Sequence, residues 1–541
     1  MSFISLEFIA LENFQSLKKR AEIPIRPLTF LYGPNSSGKS AIHDALTFLD
    51  SFFRSPDEEI RDYIERWAYK PKGKELPYTS EDLHMSVEAR FSSDESFTFF
   101  HSWLYGSAGA TPTEFYFESV GINSIELRLE VIDLINEFYN VLFTASFNGQ
   151  KMIELVPRAG GFSEYDYLLI IHVKTFDNVI TDLADRHEIE INNENIVEVP
   201  CRLVHEKEIK LKEDTHLEGQ PYNFHRDLIS IGNHILHCFR DIKFAPEIIS
   251  ADRTTISSKE LSCVLSSETR YDERDALSGY SSFSVGLPKD HIESPTKSLQ
   301  GVLNLSSSFM QEIAISRFLL ELKRREIEIK NQNERRTEFL PKEALVDYVN
   351  RCLADHLFLD QGYQIVHEIF EILPPTPPNK KQSFFAALLI CSLMDKSGRR
   401  MTFEDVGTGI SCLIPMLVTL YSNASFIQQP ELHLHPALQS AFGDILVETT
   451  KEKRGYKHII ETHSEYILLR CLRRIRETTK GKHSAQSPIA LTPDDISVLY
   501  FCPQADGSTE VKKLRVSSQG DFIDRWPRGF FEERGKELFD E

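Results

Sequence analysis

The chain has 541 residues, a formal net charge of −20 and 41% hydrophobic residues, enough apolar content for sizeable cores in roughly two to four domains rather than for disorder. The negative balance excludes a surface that coats nucleic acid indiscriminately, because phosphate neutralisation needs concentrated Lys and Arg. No apolar run reaches the roughly eighteen residues of a membrane span, the start lacks the basic region and apolar run of a signal peptide, and the eight cysteines are scattered without a C-x-x-C pair, so a cytoplasmic chain without zinc ribbon, disulfide framework or membrane partner is expected.

In chain order, the first element is Leu28 to Tyr32, which reads as a buried strand. The loop Gly33-Pro34-Asn35-Ser36-Ser37-Gly38-Lys39-Ser40 follows it and fits G-x-x-x-x-G-K-[ST]. Ala41 to Phe53 then reads as an amphipathic helix, with Ile42, Ala45, Leu46, Leu49 and Phe53 on its apolar face. Strand, glycine-rich loop and helix in this register form a phosphate cradle. Gly33 and Gly38 let the backbone approach, the N–H groups of Ser36, Ser37 and their neighbours point at phosphate, Lys39 supplies a cation and the Ser40 hydroxyl a ligand for Mg²⁺. The expected ligands are ATP and Mg²⁺.

Between about residues 61 and 253 come strand-like runs, Met85 to Phe91, Ser96 to Trp103, Val141 to Phe147 and Leu168 to Val173, with Asn148-Gly149 as a hairpin turn. A helical pattern follows from Arg226 to Arg240, then a strand from Pro246 to Ser250. Residues 254–380 read as a Ser-rich loop from Thr254 to Ser308, a helical segment from Phe309 to Leu357 and a proline-rich break at Leu373 to Pro378. The cations Lys323, Arg324, Arg325, Lys330, Arg335 and Arg336 alternate with Glu321, Glu326, Glu328 and Glu334, which favours a solvated helix face over a nucleic-acid contact.

Residues 381–541 alternate strand and helix. An apolar run from Phe384 to Met394 and a turn at Ser397-Gly398 lead to Gly407-Thr408-Gly409-Ile410-Ser411 and a helix from Ser411 to about Leu420. The strand Ala424 to Ile427 runs into Gln428-Gln429-Pro430-Glu431-Leu432-His433-Leu434-His435-Pro436. A helix from Ala437 to Lys453 precedes the strand His458 to Ile460, which delivers Glu461-Thr462-His463-Ser464-Glu465.

A phosphate loop, a glycine-rich Ser motif, a strand ending in P-E-L-H-L-H-P and a later T-H-S, in that order, resemble ABC-type ATPase heads of the branch that includes chromosome-maintenance, RecF and overcoming-lysogenization-defect proteins. The resemblance covers about Phe3 to Phe53 and Phe384 to Tyr466. It implies an α/β fold with a mixed sheet flanked by helices, the N-terminal part of the head in residues 1–60, and a long β-rich and helical insertion before the remainder. Gly33, Asn35, Gly38, Lys39 and Ser40 match its phosphate loop, and Glu12, Asn13, Phe14 and Ser16 its short turn near the nucleotide. Gly407, Gly409 and Ser411 match the signature that reaches a partner subunit's γ-phosphate, and His463 matches the switch histidine. The closing run from Asp524 to Glu533 resembles the tail of prokaryotic ATPases found in antiphage defence, the PtuA-like proteins of Septu and retron systems, with AriA-like proteins of PARIS as second candidate.

The implied partners are a second copy of the chain in a head-to-tail dimer or larger assembly, an effector nuclease, and a reverse transcriptase with its retron DNA–RNA. A RecF-type repair ATPase is the alternative, although neither coiled-coil arms nor a basic channel is evident. Too little chain follows His463 for the Toprim domain of a self-sufficient nuclease. The motif departs at the Walker B strand, where Gln428, at the metal-facing position beside Ser40, and Gln429, at the water-polarising one, replace acids, so both metal stabilisation and general-base action are weakened and hydrolysis is expected to be slow or absent. Glu431 either compensates or hydrogen-bonds the loop backbone. His433 and His435 shape that loop rather than bind metal, and Cys412 stands where relatives often carry Gln.

Overall fold

The computed structural model describes residues 4–54, 57–69, 84–97, 122–135, 138–157, 166–172, 196–204, 208–211, 222–241, 244–251, 263–267, 345–372, 385–402, 405–422, 424–452, 456–481 and 490–527. The cationic run between Lys323 and Arg336, the proline-rich break and the tail beyond residue 527 lie outside them. The chain divides into two compact units. The first comprises Met1–Pro246, Lys453–Glu461 and Thr492–Glu541, the second Glu247–Glu452 and Thr462–Leu491.

The first unit holds two sheets. Strands β1 (Ile4–Glu12), β2 (Ala21–Pro24), β4 (Met85–Phe97), β5 (Ile122–Ile135), β6 (Phe138–Phe147), β7 (Gln150–Pro157), β8 (Asp166–His172), β9 (Ile196–Val204) and β10 (Glu208–Leu211) form an antiparallel sheet in the order β10-β9-β8-β7-β6-β5-β4-β1-β2. Its register explains why it forms. Leu11, Val87, Leu129, Phe143, Leu155, Leu169 and Val199 stand opposite one another in succession across seven strands. All are buried, so a one-residue slip of any strand would turn its apolar set to the other face. The expected hairpin turn is present, with φ of 49° at Asn148 and 76° at Gly149.

The second sheet of this unit carries the phosphate loop. Strand β3 (Leu28–Tyr32) lies between β17 (His458–Glu461) and β18 (Ile496–Pro503), both parallel to it, and β19 (Thr509–Leu514) closes the edge antiparallel to β18. All five residues of β3 are buried, as a strand with neighbours on both sides requires. The sheet joins the two ends of the sequence around everything between, the mixed, interrupted α/β core that the motifs imply.

Helix α1 (Ala41–Arg54) follows the loop, with the five expected apolar residues buried. Its end is set in an aromatic cluster. Phe53 meets Phe143 at 5.3 Å, Phe239 at 5.5 Å and Phe244 at 5.7 Å between ring centroids, and Phe52 meets Phe143 at 5.6 Å. Phe143 belongs to the large sheet and Phe239 to α3 (Tyr222–Asp241), which follows α2 (Asp57–Trp67). The Asp50 carboxylate accepts the N–H groups of Phe244 and Ala245 at 2.7 and 3.2 Å. Truncating a buried phenylalanine here should cost about 3–5 kcal/mol.

In the second unit β11 (Glu247–Ile249) pairs in parallel with β16 (Ser425–Gln428). A separate sheet runs β12 (Cys263–Ser267), β14 (Phe385–Met394), β13 (Gln364–Ile372), with β15 (Arg400–Met401) also on β14. Strand β12 corrects the expectation of a loop from Thr254 to Ser308: its five residues pair from Cys263 opposite Leu389 to Ser267 opposite Phe385. Only the end of the helix expected from Phe309 to Leu357 is described, as α4 (Leu345–Arg351) and a π-helical turn, Cys352–Leu357.

The remaining helices are α5 (Thr408–Ser422), α6 (Pro436–Glu452) and α7 (Glu465–Thr479). Helices α6 and α7 are joined by a buried ion cluster, in which Asp444 takes Arg474 through Nε at 2.7 Å and Nη2 at 2.9 Å, and Arg470 at 2.7 Å. Those hydrogen bonds hold the Arg474 guanidinium well above its ordinary pKa. Among the described residues no helix is long and apolar enough to cross a membrane.

Candidate functional site

The phosphate loop is built for close backbone approach. Gly33 has φ of 146°, Ser36 of 58° and Gly38 of 87°, so successive N–H groups turn toward one concave side. A Cβ on Gly38 would stand 2.2 Å from Ser16 Oγ, and positive φ and lack of space together leave only glycine. Ser16 reaches the loop from the turn after β1 and donates to the Ser37 carbonyl at 3.3 Å. That turn is strained: φ is 50° at Asn13 and 49° at Gln15, a cost of order 1–3 kcal/mol each that persists where surrounding contacts enforce it. Thr509, from β19, donates its N–H to the Ser16 carbonyl at 2.7 Å.

A cavity of about 310 Å³ opens on this loop, lined by Gln15, Ser16, Ser36, Ser37, Gly38, Lys39, Ser40 and Glu461. Lys39 is 3% exposed. Its ammonium donates to the Gly33 and Pro34 carbonyls at 3.1 and 2.9 Å and lies 3.7 Å from Glu461 Oε1. Ser40 Oγ donates to Glu461 Oε2 at 2.9 Å. The Ser37 hydroxyl is buried with no hydrogen-bond partner among the described residues, a deficit that a phosphate oxygen would relieve. Glycine geometry, cation, hydroxyls and this deficit fit a nucleotide phosphate chain.

Sequence reasoning missed part of this lining. Asn13 is not in it; its backbone instead shapes the turn, donating to the Lys18 carbonyl and accepting from the Tyr69 N–H. Gln15 lines the cavity in its place and donates to Asp44 of α1 at 2.6 Å. Gly33 and Asn35 set the loop without lining the cavity, Asn35 being exposed at the tip. Glu461 follows the expected strand His458 to Ile460 and belongs to none of the motifs. Its signal was topological, because acids at the carboxyl ends of parallel strands face the loops there, and β17 pairs Glu461 opposite Leu31 of β3. A half-buried clamp positions β17: Lys457 meets Glu7 of β1 at 2.6 Å. Burial works to raise the Glu7 carboxyl, but hydrogen bonds from Lys457 and Ser92 outweigh it and hold the pKa below its ordinary value.

The second unit gathers the other motifs. Gln428 ends β16, and Gln429 follows with φ of 45°. Both oxygens of Glu431 are engaged: Oε1 accepts the His463 N–H at 2.8 Å and Oε2 the Thr462 hydroxyl at 2.7 Å. Ser464 caps α7 by accepting from Tyr466 and Ile467, and donates to Gln439 of α6 at 2.6 Å. His463 is thus fixed between two anchored neighbours. His433 is exposed with φ of 64°, and the His435 carbonyl accepts from Leu438 and Gln439 at the start of α6.

Helix α5 begins at Thr408, three residues before the expected start, so Gly409 and Ser411 are helical. A Cβ on Gly409 would lie 2.8 Å from the His433 carbonyl oxygen, which explains the glycine by contact rather than by φ. Ser411 is 2% exposed, whereas Gly407 is exposed with open space around it. The part of the signature that faces solvent is therefore the run up to Thr408.

Comparison with known proteins places these motifs in context. Among solved structures, the chain is similar to an Smc head bound to the C-winged helix domain of ScpA, at 12% identity over 94% of this chain and 98% of that one, with a TM-score of 0.40. It is also similar to the SMC head domain from Thermotoga maritima, at 11% identity over 95% and 100%, with a TM-score of 0.34. No curated protein matches significantly. Residues 491–540 match a family described as a protein of unknown function, DUF3696. The AAA ATPase domain family matches residues 5–468, most of the sequence and both halves of the interrupted core, and the chain belongs to that family.

Proposed function

We propose that the chain is an ATP-binding, ABC-type head that uses Mg²⁺-ATP to close a head-to-tail homodimer, and that this dimer scaffolds and restrains an effector nuclease in antiphage defence. The observation that carries the nucleotide reading is the phosphate loop itself: a buried Lys39 and the hydroxyls of Ser36, Ser37 and Ser40 line one cavity under a backbone of positive φ. The dimer follows from the signature segment, whose exposed end at Gly407 is available to a partner's nucleotide. Slow turnover follows from the amides at Gln428 and Gln429, which carry no charge and take up no proton. A persistent ATP-bound dimer suits a scaffold or sensor better than a motor.

The defence role, with a nuclease and a reverse transcriptase bearing retron DNA–RNA as partners, rests on the sequence resemblance to PtuA-like proteins and on analogy. Lys39→Ala removes the cation of the loop. Calorimetry with Mg²⁺-ATP should show binding by the wild-type chain and none by the variant. Equal binding by both would refute the assignment of the loop.

A further inference from the structure

The positions at which the motif pattern expects acids hold Gln428 and Gln429, yet the phosphate loop of the first unit does have a carboxylate. It comes from β17, beside β3, where Glu461 projects from the carboxyl end of the strand into the cavity. Both oxygens are directed at loop residues, Oε2 accepting from the Ser40 hydroxyl at 2.9 Å and Oε1 lying 3.7 Å from the Lys39 ammonium. Glu461 is 8% exposed. A carboxylate is seldom placed so deep without a partner; its partners here, Ser40 and Lys39, are the loop side chains that face the cation and the phosphates of a bound nucleotide.

We propose that Glu461 is the metal-facing carboxylate of this site, acting with the Ser40 hydroxyl to hold the divalent cation that accompanies ATP and supplying the negative charge that the amides of Gln428 and Gln429 lack. The donor set suits the ion. A hydroxyl and a carboxylate are hard oxygen ligands, and Mg²⁺ is commonly held by one or two carboxylates together with substrate phosphates and waters. Charge gives a second consequence. A carboxylate in the cavity repels the phosphates of bare ATP and attracts the cation of Mg²⁺-ATP, so Glu461 makes the loop discriminate between them. If Glu461 were only a counter-ion for Lys39, its removal would strengthen binding of bare ATP without weakening that of Mg²⁺-ATP.

This inference rests on the ATP-binding reading, and one set of titrations separates the two. The full-length wild type, Glu461→Gln, Glu461→Asp and Lys39→Ala are titrated calorimetrically with ATP, once in excess Mg²⁺ and once in EDTA. The wild type is expected to prefer Mg²⁺-ATP. Glu461→Gln should weaken Mg²⁺-ATP on the order of 10- to 100-fold, the loss typical when the surroundings of a metal site are altered, while binding ATP in EDTA as well as or better than wild type. Glu461→Asp should recover part of the preference. Undiminished Mg²⁺-ATP binding by Glu461→Gln, or an equal loss in both buffers, overturns the proposal while leaving the ATP reading in place. Absence of ATP binding by the wild type in both buffers, or wild-type binding by Lys39→Ala, overturns the ATP reading and the proposal with it.

Discussion

Side-chain chemistry at the end of β16 sets the expected rate of this ATPase. General base catalysis commonly contributes about 10²–10⁴ in rate, and Gln428 and Gln429 offer no base. Glu431 is the nearest acid in sequence, but its oxygens latch Thr462 and the His463 backbone. Replacing both amides, Gln428→Asp with Gln429→Glu, should raise phosphate release above a low wild-type rate under identical Mg²⁺-ATP. Brisk wild-type release that disappears in Glu431→Gln would move the catalytic role to Glu431. The residues of the phosphate loop were legible because their chemistry is local: glycine spacing, lysine and serine lie within eight consecutive positions. Glu461 was not, because it is 421 residues from Ser40 in sequence and only the pairing of β17 with β3 unites them.

Elements were read well where one face is buried. Met85 to Phe91, Val141 to Phe147 and the apolar face of α1 announced themselves by periodicity, and the structure has β4, β6 and α1 there. Strand β12 was missed because a five-residue run inside a Ser-rich region has no such signal; its pairing with β14 decides its conformation. The C-terminal elements brace the loop strand in a way that composition did not suggest. Trp526 packs edge-on against Tyr32, the last residue of β3, at 5.3 Å, and also against Tyr500 and Phe522. Asp524, two residues earlier, accepts the Arg515 N–H and guanidinium at 2.7 Å each.

Those bonds lower the Asp524 pKa to about 2 from 3.8. A depressed carboxylate stabilises the fold above its unfolded pKa and ceases to do so as pH falls through its folded value. Urea midpoints from tryptophan emission should therefore differ between wild type and Asp524→Asn by a constant amount at neutral pH. That difference should close as pH falls from about 4 toward about 2. A difference independent of pH over that window would show that the pair does not act through charge.

On the proposed reading, ATP joins two whole molecules through surfaces each contributes in part. An isologous pairing, in which the loop of each copy meets the signature of the other, gives a two-fold dimer with two composite sites. The structure changes which residue tests it. Ser411, inside α5 and 2% exposed, would unsettle its own unit if enlarged, whereas Gly407 has nothing within 4 Å of an added Cβ. Gly407→Arg should thus leave the fold and the nucleotide affinity of the monomer intact while blocking the partner's approach. Light scattering on the full chain, with and without Mg²⁺-ATP, is the most direct measurement. The expected result is a monomer without nucleotide, a long-lived dimer with it, and a monomer in both conditions for Gly407→Arg; a mass that is the same in every condition and in both proteins would show that nucleotide does not join the two copies.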